Sequence, residues 1–423
     1  MSNQKRIEEA YEQARERYAE IGVDTDRAVD ELSSASISLH CWQGDDVGGF
    51  EKPDASLSGG GIQVTGNYPG KARNISELRH DLKKAFSLIP GRHRLNLHAI
   101  YGQFGQKVPE RDQIGPEHFS GWVEWAKTHG LKLDFNATLF SHPKADEGYT
   151  LSSRDTGIRK FWIEHVKRAR EISAYMGKEL GSPCIHNLWI PDGEKDVPVD
   201  RFSPRERLLE SLDDIYSVKY PHTQVKDAVE SKLFGIGSES FVVGSHEFYM
   251  GYAMKSGIMV CLDLGHFHPT ESVADKISAV LQFSDEVLLH VSRGVRWDSD
   301  HVVILNDEVT AVMQEIVRCG ALGCVHIALD YFDATLNRVG AWVTGARAAM
   351  KGLLLALLEP NIKLREYEDA GLNFERLAML EELKTMPAGD IWNYFCLKSG
   401  VPAGMDWIEE VSAYGQEAAS QRG

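Results

Sequence analysis

No stretch of this 423-residue sequence is long and apolar enough to cross a bilayer. The longest unbroken apolar run is LLLALL at 353–358, whereas a spanning helix needs about 20 such residues. The opening MSNQKRIEEAYEQARERYAEIGV is charged and helical in pattern and lacks the apolar segment of a secretory signal. A soluble, cytoplasmic chain is expected. The six cysteines form no C-x-x-C pair and no regular framework. That excludes a disulfide scaffold and a thiolate zinc module, and leaves them as small core residues in a reducing compartment. Basic blocks are missing as well. With 46 Lys+Arg against 62 Asp+Glu, the formal charge is −16, which repels phosphate backbones and argues against a nucleic-acid partner. Internal repeats and low-complexity segments are also lacking. The Gly-rich SLSGGGIQVTGNYPGKARN at 56–74 lacks the G-x-x-x-x-G-K-[ST] spacing of a phosphate loop, and it is read as a long loop able to close over a pocket.

What is present is alternation. Eight short runs rich in Val, Ile, Leu and aromatics read as buried parallel strands. They are SISLHCW (36–42), RLNLHAIYG (94–102), LKLDFNATLF (131–140), SPCIHNLWIP (182–191), KDAVESKLF (226–234), GIMVCLDLGHF (257–267), EVLLHVS (286–292) and CVHIALDYF (324–332). Helical patterns separate them, among them NISELRHDLKKAFSLI with Ser76 as the expected cap and GPEHFSGWVEWAKTHG with Pro116 early and Gly130 late. Between the fifth and sixth runs, SESFVVGSHEFYMGYAMKSG carries a weaker signal for a short helix. Eight strand–helix units predict an α/β (β/α)₈ barrel in preference to an open doubly wound sheet. The expected layout is an N-terminal helical segment (1–35), the barrel (36–345) and a C-terminal helical extension (346–423) that packs on the barrel or on another subunit.

Active sites of such barrels lie at the C-terminal strand ends, and polar residues collect there. His40, His98 and Asn136 end the first three runs, and Asn187 and Trp189 lie near the end of the fourth. Glu230 and Lys232 lie on the fifth, Asp263 and His266 on the sixth, His290 and Arg293 on the seventh, and Asp330 on the eighth. A single strand histidine is usually a satisfied core imidazole. Three carboxylates and an imidazole on four adjacent strands (Glu230, Asp263, His290, Asp330) are different, because buried anions demand a cation. A divalent metal supplies it, and an oxygen-rich set with one nitrogen suits Mn²⁺, Mg²⁺ or Co²⁺. Lys232 follows Glu230 by two residues. In a strand it shares that face, placing an ammonium toward a substrate oxygen or in a salt bridge to Glu230.

VRWDSDHVV after the seventh run places Asp298 and Asp300 at i, i+2. D-x-D alone is a weak signal. Beside His266 and the four-ligand set, it reads as the grip for a second cation, with His268 and His301 close by. Two divalent ions can polarise adjacent oxygens of a polyol and favour hydride movement between C1 and C2. Such isomerisation needs no nucleophile and no organic cofactor.

The segments HCWQGDDVGGFE, GNYPGKARN, RLNLHAIY, NLWIPDG, AVESKLFGIG, EFYMGY, CLDLGHFHPTE, LLHVSR, VRWDSDHVV and LDYFDA occur in one order along almost the whole chain. In these the sequence resembles the L-rhamnose isomerase family, which is related to xylose isomerase. The resemblance implies a metal-dependent (β/α)₈ barrel, typically a homotetramer, that interconverts L-rhamnose and L-rhamnulose in the first step of rhamnose catabolism. It also implies roles. Glu230, Asp263, His290 and Asp330 would hold a structural divalent ion. His266, Asp298 and Asp300 would hold a catalytic Mn²⁺, with Zn²⁺ or Co²⁺ as alternatives. Lys232 would contact sugar O1 and His98 the sugar hydroxyls, and Trp189 and Phe332 would wall the pocket. The chain departs from the family where Gly294, rather than proline, follows Arg293.

Two other classes use related features. A metal-dependent phosphodiesterase on the same barrel would share the ligands, but it needs the basic groove this sequence lacks. A non-catalytic sugar-binding protein would leave the second metal set without a purpose.

Overall fold

All eight apolar runs pair as strands. The computed structural model describes residues 3–44, 47–51, 66–105, 107–234, 237–295 and 297–422, with only the backbone described at 297–299. The strands are β1 (Ser36–His40), β2 (Arg92–His98), β3 (Lys132–Asn136), β4 (Cys184–Trp189), β5 (Val225–Glu230), β6 (Met259–Asp263), β7 (Val287–Val291) and β8 (Val325–Leu329). They close in the order 1-8-7-6-5-4-3-2, with every neighbouring pair parallel. Closure abolishes sheet edges and buries both strand faces; β1, β2 and β3 still alternate polar with apolar residues, and Ser38, Arg94, Asn96 and Asp134 line the barrel interior.

The strands are shorter at their C-terminal ends than the apolar runs. Trp42, Ile100, Tyr101, Phe140, Ile190 and Tyr331 follow the ladders yet stay buried, because the loops fold back over the barrel mouth. The difference matters most at the fifth run. β5 ends at Glu230, so Lys232 lies beyond the ladder and the same-face rule does not govern it.

Helices alternate with the strands, α2 (Thr25–Ser34), α6 (Phe202–Ile215), α8 (Ala274–Val280) and α9 (Asp307–Arg318) among them. In α3 (Ile75–Phe86) the cap is Asn74 rather than Ser76. The Asn74 side chain accepts from the Glu77 amide, while the Arg73 amide donates to the Glu77 carboxylate, so two otherwise unpaired groups at the helix start are satisfied reciprocally. Pro116 starts a short 3₁₀ turn before α4 (Ser120–His129), and Gly130 closes that helix at φ 67°. Asp155 caps α5 (Thr156–Leu180) by accepting from Gly157 and Ile158. The weak helical signal between the fifth and sixth runs becomes α7 (His246–Ser256).

The helix after β8, α10 (Arg338–Leu357), contains residues 345 and 346. α13 (Ala388–Lys398) packs on the N-terminal α1 (Asn3–Ala19) through Tyr11 stacked on Tyr394 at 3.9 Å. The last helix, α14 (Asp406–Arg422), is tied to α3 by Arg422, which forks onto Asp81 at 2.7 and 2.8 Å. No single described helix is long and apolar enough to cross a membrane. Among the described residues all six cysteines are free thiols.

Most of the core lies between barrel and helices, with a separate small cluster inside the barrel: Ile185, Ala228, Met259, Cys261, Leu288 and Ala328. At the N-terminal end of the barrel, Arg94 forks onto Asp134 at 2.7 and 2.8 Å, and Ser38 and the Ile185 amide complete that carboxylate. The Arg94–Asp134 pair is thus fully partnered, and its charge is structural. The mouth differs.

Candidate metal centre at the barrel mouth

The ends of β5, β6, β7 and β8 bring together one oxygen or nitrogen each from Glu230, Asp263, His290 and Asp330, all within 4.8 Å of one another. His290 Nδ1 lies 3.3 Å from Glu230, 3.6 Å from Asp263 and 3.2 Å from Asp330. A second set, Asp263, His266 and Asp300, meets the same criterion and shares Asp263. His266 Nε2 stands 3.6 Å from Asp300. The first set is the one expected from the sequence; of the second, His266 and Asp300 come together beside it with Asp263, which belongs to both clusters.

Glu230 and Asp263 share one logic: one oxygen accepts ordinary hydrogen bonds and the other faces only imidazole. Glu230 accepts from the Asn187 amide nitrogen on Oε2, while its Oε1 is buried without a hydrogen-bond partner. Asp263 accepts from Ser292 Oγ at 2.8 Å and from the Gly265 amide at 2.6 Å on Oδ1, while Oδ2 has no such partner. His290 Nδ1, Asp300 Oδ1 and Asp330 Oδ1 are orphaned in the same way. His266 Nδ1 lies 3.0 Å from the Ser231 carbonyl and 3.1 Å from Glu230 Oε1, and the ring turns Nε2 toward Asp300. Burial of so many unpartnered groups is costly by several kcal/mol in total, and a divalent cation at each set satisfies them. The residues fit such ions.

The protonation states point the same way. Burial opposes charge on His266 and His290, yet their surroundings outweigh it and raise both well above the ordinary imidazole range: Asp263 and Asp300 around His266, and Cys261 followed by Glu230 around His290. Burial pushes Asp330 up to about 7 and also raises Asp263. Without a cation, protons do the neutralising, and metal binding displaces them.

Asp300 lies on Trp297–His301, which pairs antiparallel with Arg293–Val295. The D-x-D segment is therefore a hairpin strand rather than an open loop. The backbone of Asp300 is pinned by the Phe332 amide, which donates to its carbonyl at 2.6 Å. Asp298 is two residues earlier on the same strand, and its side chain lies outside the described residues. Of the neighbouring histidines, His268 pairs with Thr270 Oγ1 at 2.8 Å, and among the described residues neither His268 nor His301 joins a metal-ligating group.

Around the centre, His98 Nδ1 meets Thr138 Oγ1 at 3.0 Å. Burial lowers its pKa to about 3, so it is a neutral imidazole at working pH. The Lys232 ammonium stands 5.2 Å from the centre of the Trp189 ring and helps hold Asp300 charged. Phe332 stacks on Trp42 at 5.8 Å, and Phe140 meets both His98 and Trp189 edge-on. His40 is a core imidazole bonded to the Leu329 carbonyl. The glycine-rich loop of 56–74 falls largely outside the described residues. Its described end packs on the loop after β8, where Arg338 and the Ala334 carbonyl bond Tyr68.

Asn187, marked at its strand end but given no role by the sequence, holds Glu230 through its side-chain amide. Other contributors escaped the sequence reading: Ser292 holds Asp263, and His165 accepts from the Thr138 amide. Gly265 is the least obvious. A Cβ built there would lie 2.0 Å from Asp300 Oδ1, so only glycine lets that carboxylate approach. The G in LGHFHPTE carries no periodic or charge signal of this.

Fold and site together define a (β/α)₈-barrel protein with a carboxylate–histidine centre at its mouth, fit for paired divalent cations. The chain belongs to the L-rhamnose isomerase family, whose model, L-rhamnose isomerase (RhaA), matches residues 5–422. It is 58% identical to L-rhamnose isomerase of Rhodopirellula baltica over 416 residues, covering 98% of this chain and 97% of that protein. It is 57% identical to that of Bacteroides thetaiotaomicron, with full coverage of both. Identity to that of Escherichia coli is 56%, over 99% of each. Among solved structures, L-ribulose 3-epimerase aligns over 78% of this chain and 96% of its own, at a TM-score of 0.48 and 12% identity.

Proposed function

We propose that the protein interconverts L-rhamnose and L-rhamnulose by a hydride shift between C1 and C2, the entry step of rhamnose breakdown. The observation that carries this is the set of buried, unpartnered carboxylate and imidazole atoms at the mouth of a barrel from this family. Glu230, Asp263, His290 and Asp330 would hold a structural divalent ion, and His266, Asp298 and Asp300 a catalytic one. Mn²⁺ is the favoured catalytic ion on ligand chemistry, with Zn²⁺ or Co²⁺ as alternatives. When bound, the ions supply Lewis-acid polarisation of neighbouring sugar oxygens.

The chain's own groups do the rest. Lys232 would contact O1 and hold negative charge developing there. The C2 hydrogen moves with its electron pair to C1, so no side chain need remove a proton from carbon. Neutral His98 can donate to or accept from a sugar hydroxyl. Trp189, Phe332, Trp42 and Phe140 form aromatic walls that exclude water and meet the C–H face of the sugar. Asp300, His266 and Lys232 form the acid–base neighbourhood in which the hydroxyl proton exchanges.

A homo-oligomer, expected to be a tetramer, is supported by apolar side chains left bare on the C-terminal helices. Ile362 of α11 (Asn361–Asp369) and Phe374 and Leu377 of α12 (Asn373–Leu383) are 79%, 77% and 67% exposed. Free thiols support a reducing, cytoplasmic location. The test is ketose formation from L-rhamnose with chelator and after Mn²⁺ is restored. Turnover lost and regained is expected, and full turnover in excess chelator refutes the reading.

A further inference from the structure

A thiol stands beneath the metal cluster and has no part in the reaction described above. Cys261 is on β6 two residues before Asp263, so the two side chains share a strand face. In the ladder Cys261 is level with Glu230 of β5. One sulfur, one Glu230 oxygen and one His290 nitrogen lie within 4.8 Å of one another. Glu230 and His290 therefore belong to two donor sets. Asp263 and Asp330 complete one with oxygen, and Cys261 completes the other with sulfur.

Glu230 Oε1 and His290 Nδ1 lie 3.3 Å apart, buried in residues each 2% exposed, and neither makes a hydrogen bond of ordinary geometry. Below them a cavity of about 420 Å³ is lined by Asn187, His290, Leu288 and Ala328 and extends to Ser34 and Gly323 at the opposite end of the barrel.

We propose that Cys261, Glu230 and His290 form an alternative divalent-cation site for thiophilic ions such as Zn²⁺ or Cd²⁺, mutually exclusive with the oxygen-rich set. Sulfur, nitrogen and oxygen donors with one open position make a tetrahedral zinc-type environment, whereas the carboxylate-rich set suits harder ions. The metal–sulfur bond forms as the thiol proton leaves to solvent. An ion drawn to Cys261 gives up Asp263 or Asp330, so ion identity sets ion position. The inference shares Glu230 and His290 with the proposed function but does not depend on turnover.

The test strips the full-length protein with chelator and reloads it with Co²⁺, a spectroscopic stand-in for zinc. A near-ultraviolet thiolate-to-cobalt charge-transfer band is expected in the wild type. It should be lost in Cys261→Ser and Cys261→Ala while the visible cobalt bands persist, which also shows that both variants fold and bind metal. Cadmium NMR of the wild type is independent of any variant, and a downfield, thiolate-ligated resonance is expected. Absence of the charge-transfer band in the wild type, or its persistence in both variants, overturns the proposal. If the band is absent while Mn²⁺-dependent isomerisation is intact, only this inference fails. If the band is present without ketose formation, only the proposed function fails.

Discussion

Replacing Gly265 by alanine tests the site's geometry with little disturbance to the fold. The added Cβ would lie 2.0 Å from Asp300 Oδ1, where ordinary contact begins at 3.4 Å, so the carboxylate must retreat by about 1.4 Å. Nothing else is nearer than Ser292 Oγ at 3.0 Å. The obstruction is the end of a side chain, and the backbone of Asp300 stays anchored through Phe332, so the hairpin need not move. A displacement of about 1 Å in a catalytic constellation costs on the order of 10²-fold in rate, or about 2.7 kcal/mol. We therefore expect kcat/KM for L-rhamnose in G265A to fall by about 10²-fold or more. Mn²⁺ binding by calorimetry should weaken, while the melting temperature of the metal-free protein stays within a few degrees, ~3 °C, of wild type. Activity within threefold of wild type, roughly 0.6 kcal/mol, would show that Asp300 need not sit where the structure places it. A collapse in thermal stability would show that the cost falls on packing instead.

Asn187→Ala frees Glu230 Oε2 from its only held contact named above, and Mn²⁺ affinity measured by calorimetry should drop by roughly 10–100-fold. In Glu230→Gln, Mn²⁺ should no longer raise the melting temperature, whereas wild type at 100 times Kd gains about 2.7 kcal/mol. An undiminished shift would remove Glu230 from the ligand set. Asp298→Asn should lower kcat by orders of magnitude, and an unchanged kcat in steady-state assays would take Asp298 out of the catalytic set. Acid stability has a separate origin. Burial opposes charge on Asp227, but His186 and Arg170 outweigh it and hold its pKa at about 2. Because this lies below the unfolded value of about 3.9, the stabilisation is complete above that value and is lost as pH falls toward 2. The urea-measured stability difference between wild type and Asp227→Asn should shrink by roughly 2 kcal/mol between pH ~5 and pH ~2; a constant difference would argue against the Arg170–Asp227 pair.

The barrel was legible in the order of the residues. Eight apolar runs separated by helical patterns admit little else, because strands buried on both faces need helices outside and closure at the edges. That order also marked which strand ends carry charge. Glu230, Asp263, His290 and Asp330 stand out because carboxylates in apolar runs are costly to bury without a cation. Tertiary structure alone decided how those charges are used. That Asp263 joins both sets, that Asn187 and Ser292 leave one oxygen free on each of two carboxylates, and that Lys232 leaves its strand after Glu230 follow from register and loop path. Gly265 and Cys261 were invisible as functional positions in one dimension. A glycine's role is the space it leaves for a residue 35 positions away, and a thiol's is the pair of ligands that two neighbouring strands bring beside it. Local pattern encodes which face is buried and where a helix starts. Which atoms end up within ligand distance is set only when the sheet closes.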